Sequence, residues 1–459
     1  MSIFRVLKSK KMSHLTALSK IQKFIEENVI GQLKAWAQLL REGQLYAFET
    51  EALGCIHGLY DFINEQLLPE AALQIVDQLV AQGRAAGGRK IEVRPFKLRI
   101  ATGQQVEVQS PYVKHPGKGW NGPRQLLAVH WNIIDGASPA LYDRVGYCAA
   151  LGPSYEMAHQ TLGKFGVQLC LSSVRDITNR LANHCYESGE ENVIASPGET
   201  LEGKRVVVSV DGGRSRTRSY DGNYNDSGNA TYQTAWCEPK LFVIDVLDEK
   251  GQPERHELPI YGCRFAEADV LALLERYLKR LHIAKAKQVQ IIADGAPWIW
   301  NNVKQVLLSL EVPPGRIVET LDYYHASGYI HSLVEQMPKR VGKKQRQAYL
   351  QKFKDWLWDG NARQIVETCR EVFKRPGQLV NRYLNYLDKH QDKTQYAEFE
   401  KQKLMCGSGI IESAIRRIIN LRFKNASTFW DKQVVEKLYF LRAALLAKRW
   451  DIVMENLTK

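Results

Sequence analysis

Two runs of β-branched residues, each ending in Asp-Gly, constrain this chain more than any other feature. The run RVVVSVDGG spans 205–213, and QVQIIADG spans 288–295. Continuous apolar runs of this length are typical of central strands that are buried on both faces. The pattern therefore places Asp211 and Asp294 at the carboxyl ends of two buried strands, where α/β sheets bind their ligands.

Strand and helix signals alternate in the second half of the chain. Further apolar runs predict strands at 241–248, 254–262 and 315–322, and the amphipathic pattern of 265–281 predicts a helix between them. Another helix is predicted at WIWNNVKQVLL, directly after the second Asp-Gly. A meander of strands followed by strand–helix units is typical of a mixed α/β sheet. We therefore predict an α/β fold.

A long segment after the last predicted strand has a different character. Residues 330–405 are strongly charged and helical in pattern, with no strand signal. Two further helices are predicted at SGIIESAIRRIINLRF and VVEKLYFLRAALLAKRW.

The first half of the chain predicts helices, then a small β segment, then helices again. Apolar residues recur at helical spacing over the first eighty or so residues, and a glycine-rich break follows at 83–90. Apolar and polar residues then alternate on both sides of Thr102–Gly103, which predicts a β-hairpin.

Two short helices, SYEMAHQTLGKFG and SSVRDITNRLANHC, are predicted after Pro153. Ser173 and Asp176 have the spacing of a capping box at the start of the second one. The pair suggests a helix-turn-helix whose second helix enters a major groove with Arg175 and Arg180 facing outward, although an ordinary αα-hairpin explains the same pattern. A polar linker is predicted at 187–205.

Charge and cysteine content narrow the class of protein. The formal net charge of +13 favours a polyanionic partner, nucleic acid before an anionic membrane surface, and no lipidation signal supports the membrane. No signal peptide or stretch of about 20 apolar residues is visible. The 8 cysteines include no Cys-x-x-Cys pair, which argues against a zinc ribbon and a disulfide framework. We expect a cytoplasmic, nucleoid-associated protein without a membrane partner.

The chemistry suggested by the two Asp-Gly sites is that of a hard metal ion. Two carboxylates on neighbouring strands repel each other unless a divalent cation neutralises them, and oxygen ligands suit Mg²⁺ or Mn²⁺. A single strand-terminal Asp-Gly is more often only a turn. The glycine after each aspartate is expected to allow DNA to approach closely.

Glu412 is the candidate for a third ligand. It is the only acid in the apolar start of the helix SGIIESAIRRIIN, just after Gly407-Ser408-Gly409. A glutamate near a helix start is also favoured simply by the helix dipole, so both readings stand at this point.

Four separated blocks carry a resemblance to a known family. VSVDGGR, ADGAPWIWNNV, LDYYHA and GSGIIESAIRRIINLRFKNASTFW resemble the blocks of bacterial insertion-sequence DDE transposases, in particular the Kra-type group, which is related to Mutator-like transposases. The resemblance covers roughly residues 150–445. It implies an RNase H-like catalytic core with an α-helical insertion between the second Asp and the Glu.

The resemblance also implies roles for individual residues. It makes Asp211, Asp294 and Glu412 the catalytic and metal-binding carboxylates, and it places His325 near the scissile phosphate. A partly buried histidine at a helix start is the alternative for His325. Asp322, which also ends an apolar strand, competes with Glu412 as a metal ligand.

The implied activity is that of a DNA transposase with two Mg²⁺ or Mn²⁺ ions per active site. The enzyme would cleave the ends of its element and join them to target DNA. Its partners would be the terminal inverted repeats, target DNA and at least one further copy of the chain. The alternatives are an RNase H-like structure-specific nuclease without strand transfer and a domesticated DNA-binding protein without catalysis.

Several basic residues are candidates for DNA contacts. Arg214, Arg216 and Arg218 occupy alternate positions after Asp211 and are expected to project beside the metals. The other candidates are Arg175, Arg180, Arg416, Arg417 and Lys424, for each of which plain solubility is the alternative. Trp356 and Trp358 suit stacking on an unpaired base, although core packing is the commoner role.

Six segments summarise the predicted organisation. They are a helical N-terminal region (1–85), a small β-rich segment (86–150), a helix-turn-helix-like DNA-binding segment with a linker (151–204), the first part of an RNase H-like core (205–330), an α-helical insertion (331–405) and the C-terminal core helices (406–459).

Overall fold

A computed structural model describes residues 10–117, 120, 122, 124–424 and 429–458. The chain forms two compact units. One contains the residues up to Cys185 and those from Leu457 onward, and the other spans Tyr186–Asn456. None of the helices in the described ranges combines the length and the apolar character needed to cross a membrane.

The first unit consists of helices around one β-hairpin, as predicted for this half of the chain. The strands β1 (Gly88–Arg99) and β2 (Gln105–Pro116) pair antiparallel on either side of the predicted turn. The helices are α1 Lys10–Phe24, α2 Leu33–Arg41, α3 Leu45–Ala85, α4 Leu126–His130, α5 Pro139–Leu151, α6 Tyr155–Lys164 and α7 Leu171–Glu187, with a π-helical turn at Ile25–Val29 and a 3₁₀ turn at Ile30–Gln32.

The hairpin is held against the long helix α3 by an apolar core. Leu79 of α3 is buried in this core together with residues from both strands and the turn. These are Leu98 of β1, Ile100 of the turn, and Val106 and Val108 of β2. The alternation that predicted the hairpin therefore reflects burial of one of its faces.

The predicted helix-turn-helix segment corresponds to α6 and α7, with one correction. Helix α7 begins at Leu171, so Ser173 lies inside it and is not the predicted cap. Its hydroxyl instead lies 3.1 Å from the Cys170 sulfur and accepts a hydrogen bond from Arg99 at 3.1 Å. Arg180, one of the two arginines of this segment that were predicted to contact DNA, forms an ion pair with Asp135. The role of this segment in DNA binding stays a prediction.

The second unit is built on a five-stranded mixed sheet in the order β7-β6-β3-β8-β9. Strand β6 runs antiparallel to both β3 and β7, whereas β8 and β9 run parallel to β3. The prediction of a mixed α/β sheet is confirmed. The strands are β3 Arg205–Gly212, β6 Lys240–Leu247, β7 Ile260–Arg264, β8 Gln288–Ala293 and β9 Ile317–Leu321.

Helices cover both faces of this sheet. On one face Tyr277 packs against Phe242 of β6, with 5.5 Å between ring centroids. The opposite face carries Asp211 and is covered by the helix that contains Glu412. The helices are α8 Glu190–Ile194, α9 Glu267–Arg280, α10 Pro297–Ser309, α11 Tyr323–Glu335, α12 Lys343–Trp358, α13 Ala362–Phe373, α14 Gln378–Lys389, α15 Tyr396–Lys401, α16 Gly409–Ile415, α17 Leu421–Phe423, α18 Lys432–Leu446 and α19 Trp450–Thr458, with a π-helical turn at Arg416–Asn420 between α16 and α17.

Residues 331–405 are helical, and they share a core with the sheet. Phe353 and Leu357 of α12 are fully buried together with Ile292 and Leu321, which belong to β8 and β9. Trp356 and Trp358 pack against the same core. The packing therefore supports a role in the core for these tryptophans rather than stacking on an unpaired base.

Three sequence interpretations in this unit were wrong. The strand expected at 254–262 begins only at Ile260, because Pro259 just before it cannot donate a ladder hydrogen bond. The expected linker contains α8, whose buried Glu190 pairs with Arg264 at 3.1 Å. A two-stranded ribbon was missed altogether: β4 (Ser215–Tyr224) and β5 (Ala230–Cys237) pair with each other and join no other sheet.

A buried arginine fastens the C-terminal helices to the sheet. Arg449 is 2% exposed and donates two hydrogen bonds to Glu199, at 2.7 and 2.9 Å, and one to the carbonyl of Pro259 at 2.9 Å. Removing one partner of a buried ion pair leaves the other charge uncompensated, which costs about 3–5 kcal/mol.

We therefore expect Arg449→Met to lower the free energy of unfolding by about 3–5 kcal/mol, measured by urea denaturation. Arg363→Met is the matched control, because Arg363 pairs with Glu367 at the surface with 76% of its side chain exposed. Such a surface pair contributes at most about 1 kcal/mol. Equal losses in the two variants would contradict the anchoring role of Arg449.

His390 makes the fold sensitive to acid. It is 2% exposed, and burial together with the positive charges of Lys393 and Lys389 lowers its pKa to about 4. Because the unfolded histidine titrates near 6.5, its contribution to stability is complete above that pH. As the pH falls from about 6.5 to about 4, the unfolded chain takes up the proton first and stability is lost.

We expect His390→Gln to reduce the fall in melting temperature between pH 7 and pH 4, measured by differential scanning fluorimetry at a series of pH values. His256→Gln, which changes an exposed histidine, should leave the profile of the wild type unaltered. An unchanged profile in His390→Gln would mean that other groups dominate the acid response.

Candidate active site

Three aspartates lie at the same level on three neighbouring parallel strands. Ser209 of β3 is paired with Ile292 of β8, so Asp211 and Asp294 each lie two residues beyond that pair. Ala293 is paired with Leu321 of β9, so Asp322 lies level with Asp294. Because side chains alternate along a strand, equal register also directs these carboxylates to one face of the sheet.

Burial and neighbouring negative charges act on Asp211. Burial raises its pKa, the backbone N–H of Gly212 opposes this with a 2.6 Å hydrogen bond, and the charges of Asp294 and Glu412 raise the pKa further, to about 6. His325 partly offsets this effect with its positive charge. The four predicted site residues Asp211, Asp294, Glu412 and His325 thus interact electrostatically in one place.

Asp294 is oriented by the turn that follows its strand. One carboxylate oxygen accepts a 2.9 Å hydrogen bond from the N–H of Ala296, and the carbonyl accepts one at 2.6 Å from the indole of Trp300. The first Trp of the WIW block, Trp298, lies under the ammonium group of Lys240 at 5.5 Å. Trp300 therefore helps to fix the turn after Asp294, and both tryptophans remain partly exposed.

Glu412 reaches the site because the chain before it is tied to the sheet. The amide of Gln290 on β8 donates to the carbonyl of Met405 at 2.6 Å and accepts from its N–H at 3.0 Å. Arg205 on β3 donates to the carbonyl of Gln402 at 2.8 Å. Sequence reasoning missed Gln290, although a glutamine inside an apolar strand was a signal that a buried partner must satisfy it.

Asp322 adds further hydrogen bonds between the end of the sheet and the segment that precedes Glu412. One of its oxygens accepts the N–H groups of Tyr324 and His325, at 2.6 and 3.1 Å, and so caps α11. The other accepts the N–H of Ser408 at 3.0 Å and also its hydroxyl. Asp322 is fully buried, and burial raises its pKa. Hydrogen bonds from His325 and Ser408 outweigh this effect and lower the pKa to about 2.

His325 carries a positive charge in this arrangement. Its Nδ1 lies 3.5 Å from Asp322, and hydrogen bonding to that carboxylate, with the nearby charges of Asp294 and Glu412, raises its pKa to about 9. Its side chain remains about half exposed, beside a cavity of about 430 Å³ that Glu412 also lines.

Within the described part of the chain, one set of residues brings its ligand atoms close enough together to share a cation. Ligand atoms of Asp322, His325 and Glu412 lie within 4.8 Å of one another. Asp322, however, already accepts four hydrogen bonds, which compete with a metal ion for its oxygens. The raised pKa of His325 favours its protonated form over the neutral imidazole that binds metals. For Asp211, Asp294 and Glu412 the structure shows an electrostatic interaction: after burial, the charges of Asp294 and Glu412 contribute to the raised pKa of Asp211.

The glycines after the aspartates do not serve the predicted purpose. A Cβ at Gly295 would lie 1.9 Å from the ring of Tyr386, and one at Gly212 would lie 2.1 Å from Glu238. The space beside these glycines is filled by side chains of this chain, so the expectation that they admit DNA was wrong. They permit close packing within the unit instead.

The basic residues predicted around the site are dispersed. Arg216 and Arg218 share one face of the ribbon strand β4, while Arg214 precedes that strand and is exposed. Arg417 donates to the hydroxyl of Tyr261 at 3.2 Å and lines a separate cavity of about 810 Å³, away from Glu412. Arg175, Arg416 and Lys424 are exposed. Their contacts with DNA stay predictions.

The separate cavity contains a carboxylate that sequence reasoning did not single out. Asp245 of β6 lines it and is 8% exposed, and burial raises its pKa to about 6. It lies on the same face of the sheet as Asp211, since Val207 pairs with Asp245 and Asp211 with Leu241.

Comparisons with known proteins give little beyond this geometry. No protein-family profile and no curated protein matches the chain. Among solved structures, the chain is similar to the Drosophila P element transposase strand transfer complex, at 12% sequence identity and a TM-score of 0.26, over 70% of this chain and 81% of that one. A similarity at this level carries no argument about fold or chemistry.

The charge on His325 depends on Asp322, and this can be measured. In metal-free protein we expect Asp322→Asn to keep the helix cap while lowering the pKa of His325 from about 9 towards its ordinary value near 6.5. The titration would be followed by NMR of ¹³C-labelled histidine, with His325→Gln used to assign the signal. Asp388→Asn, at an exposed position of α14, should leave the titration unchanged. An unaltered pKa in Asp322→Asn would contradict the coupling.

Proposed function

We propose that the chain is a DDE transposase in which Asp211, Asp294 and Glu412 hold two Mg²⁺ or Mn²⁺ ions. The observation that carries the proposal is the electrostatic interaction of Asp211 with Asp294, at the neighbouring strand end, and with Glu412, on a distant helix. Burial is the main cause of the raised pKa of Asp211, and the charges of Asp294 and Glu412 add to it. A bound divalent cation would stabilise the charged form of Asp211 against both effects.

The architecture of the second unit supports an RNase H-like core. Three antiparallel strands, β3, β6 and β7, are followed along the chain by β8 and β9, which run parallel to β3. When these five strands are numbered 1 to 5 along the chain, they lie side by side in the order 3-2-1-4-5. A helical segment separates β9 from the helix of Glu412. This agrees with the insertion implied by the resemblance of the four sequence blocks to Kra-type insertion-sequence transposases.

Divalent cations bound to these carboxylates would activate the attacking water or 3′-hydroxyl and stabilise the leaving 3′-oxygen. The residues of the chain supply the rest. Asp322 positions Glu412 and His325 instead of serving as a ligand. The imidazolium of His325, which lines the same cavity as Glu412, would balance the negative charge of a phosphodiester bound there.

The proposed substrate is DNA: the terminal inverted repeats of the element, then a target duplex. The net charge of +13 supports a polyanionic partner. Joining two element ends to one target requires them to be held together, so we propose that at least two copies of the chain act on the DNA.

Neutralising any of the three carboxylates should abolish the reaction. In Asp211→Asn, Asp294→Asn and Glu412→Gln we expect cleavage to fall by roughly a thousandfold, because metal-assisted charge stabilisation contributes several kcal/mol. The assay would use labelled duplexes with the sequences that flank the gene, a target plasmid and MgCl₂ or MnCl₂. Asp388→Asn removes the same charge from an exposed site and should react like the wild type.

Two further measurements separate the alternatives. Binding of Mn²⁺, followed by electron paramagnetic resonance, should be lost in Asp211→Asn while binding of the DNA duplex persists. Wild-type activity in Asp211→Asn would overturn the assignment. Cleavage without joining to the plasmid would instead indicate a structure-specific nuclease.

A further inference from the structure

The ribbon formed by β4 and β5 carries a ladder of arginines and aromatic rings on one face. Arg216 lies opposite Trp236, and Tyr220 lies opposite Tyr232. Because cross-strand partners share a face, these side chains project to the same side as Arg218. The guanidinium of Arg218 lies 4.5 Å from the centroid of the Tyr232 ring, and that of Arg216 lies 5.8 Å from the Trp236 ring.

These rings are exposed although they are large and apolar. The exposed fractions are 58% for Trp236, 49% for Tyr220 and 45% for Tyr232. The ribbon joins no other sheet, so no strand of the described chain covers this face. Exposed aromatic rings that alternate with arginines mark a binding surface and are not expected of a face that only meets water.

The position of the ribbon links it to the candidate site. Only Gly213 and Arg214 separate the end of β3, which carries Asp211, from the start of β4. The base is fixed, since Arg218 donates its backbone N–H to the carbonyl of Trp430 at 2.9 Å and Ser215 bonds the hydroxyl of Tyr439 at 2.6 Å. From this base the 10 residues of β4 extend for about 30 Å.

Charge is also distributed along the ribbon. The three arginines Arg214, Arg216 and Arg218 lie at the base, within seven residues of Asp211 in the sequence, whereas the acids Asp221 and Asp226 lie towards the tip. A phosphate backbone that leaves the carboxylates would meet the arginines first. The flat ring faces beyond them suit bases that are not paired, because base–aromatic stacking needs an open base face and no particular sequence.

We propose that this face of the ribbon binds an unpaired DNA strand adjacent to the cleavage site, with its bases stacked on Tyr232, Trp236 and Tyr220 and its phosphates held by Arg216 and Arg218. The proposal rests on the proposed function, since it takes DNA as the substrate. It adds the form in which that DNA leaves the site: a strand whose bases have been separated from their complement.

The test measures binding of a fluorescein-labelled oligodeoxythymidine of about 16 nucleotides, a length that spans a single-strand binding site, by anisotropy in the presence of EDTA. The full chain is used, so that neither cleavage nor a metal ion affects the result. We expect Trp236→Ala and Tyr232→Ala each to weaken binding at least fivefold, which is the lower end of the effect of losing one stacking ring.

Two kinds of control distinguish stacking from damage to the fold. Ser219→Ala with Gln233→Ala alters a directly paired position on the other face of the same ribbon and should bind like the wild type. Tyr232→Phe keeps the ring and should retain binding, which a general loss of structure would not allow.

Each outcome has a definite meaning. If the wild type binds the oligonucleotide and the ring variants bind it equally well, the ribbon proposal is overturned while the proposed function stands. If the ring variants bind a blunt duplex as weakly, relative to the wild type, as they bind the single strand, the proposal that unpaired bases stack on these rings is wrong. If the wild type binds neither form of DNA, the proposed function itself fails.

Discussion

The bonds between Asp322 and Ser408 are the constraint on which the candidate site depends. Asp322 ends β9 and is buried, and it holds Ser408 just before the helix that carries Glu412. Helical segments separate these two residues along the chain, so local structure alone cannot bring them together. Gln290 and Arg205 tie the preceding residues to the sheet in the same manner. A buried polar group without a hydrogen-bond partner is unfavourable. Each of these hydrogen bonds therefore also disfavours any other alignment of the segment before Glu412 against the sheet.

The sheet could be predicted from the sequence because its signal is local. The runs that end at Asp211 and Asp294 are largely apolar, with Ser209 and Gln290 as polar residues in their interiors, and this pattern is typical of strands buried on both faces. The register then sets the two carboxylates level. The missed features depend on contacts between distant residues. The ribbon was missed because its residues, such as Ser219 and Tyr232, are polar or aromatic and give no apolar alternation. Burial is confined to Ser215 and Thr217 at the base of its first strand. The role of Ser408 was equally invisible, since its partner lies on another element.

Electrostatics within the second unit oppose the charge of the chain as a whole. The sequence carries an excess of 13 positive charges, yet acids gather where β3 and β8 end. His325 is the cation among them, and Asp322 fixes its charge by hydrogen bonding. A positive protein with a negative centre would attract a polyanion broadly while leaving room for small cations at one point.

The contact between Gly295 and Tyr386 restricts how the helical segment can change over evolution. Tyr386 belongs to α14 and occupies the space directly beside the turn after Asp294. Any lineage that exchanges or shortens these helices must keep an aromatic ring there or refill the vacant volume, while any lineage that replaces the glycine must give up the ring. The helical segment and the turn after Asp294 are therefore coupled, and an exchange of either one would be tolerated only together with its matching partner.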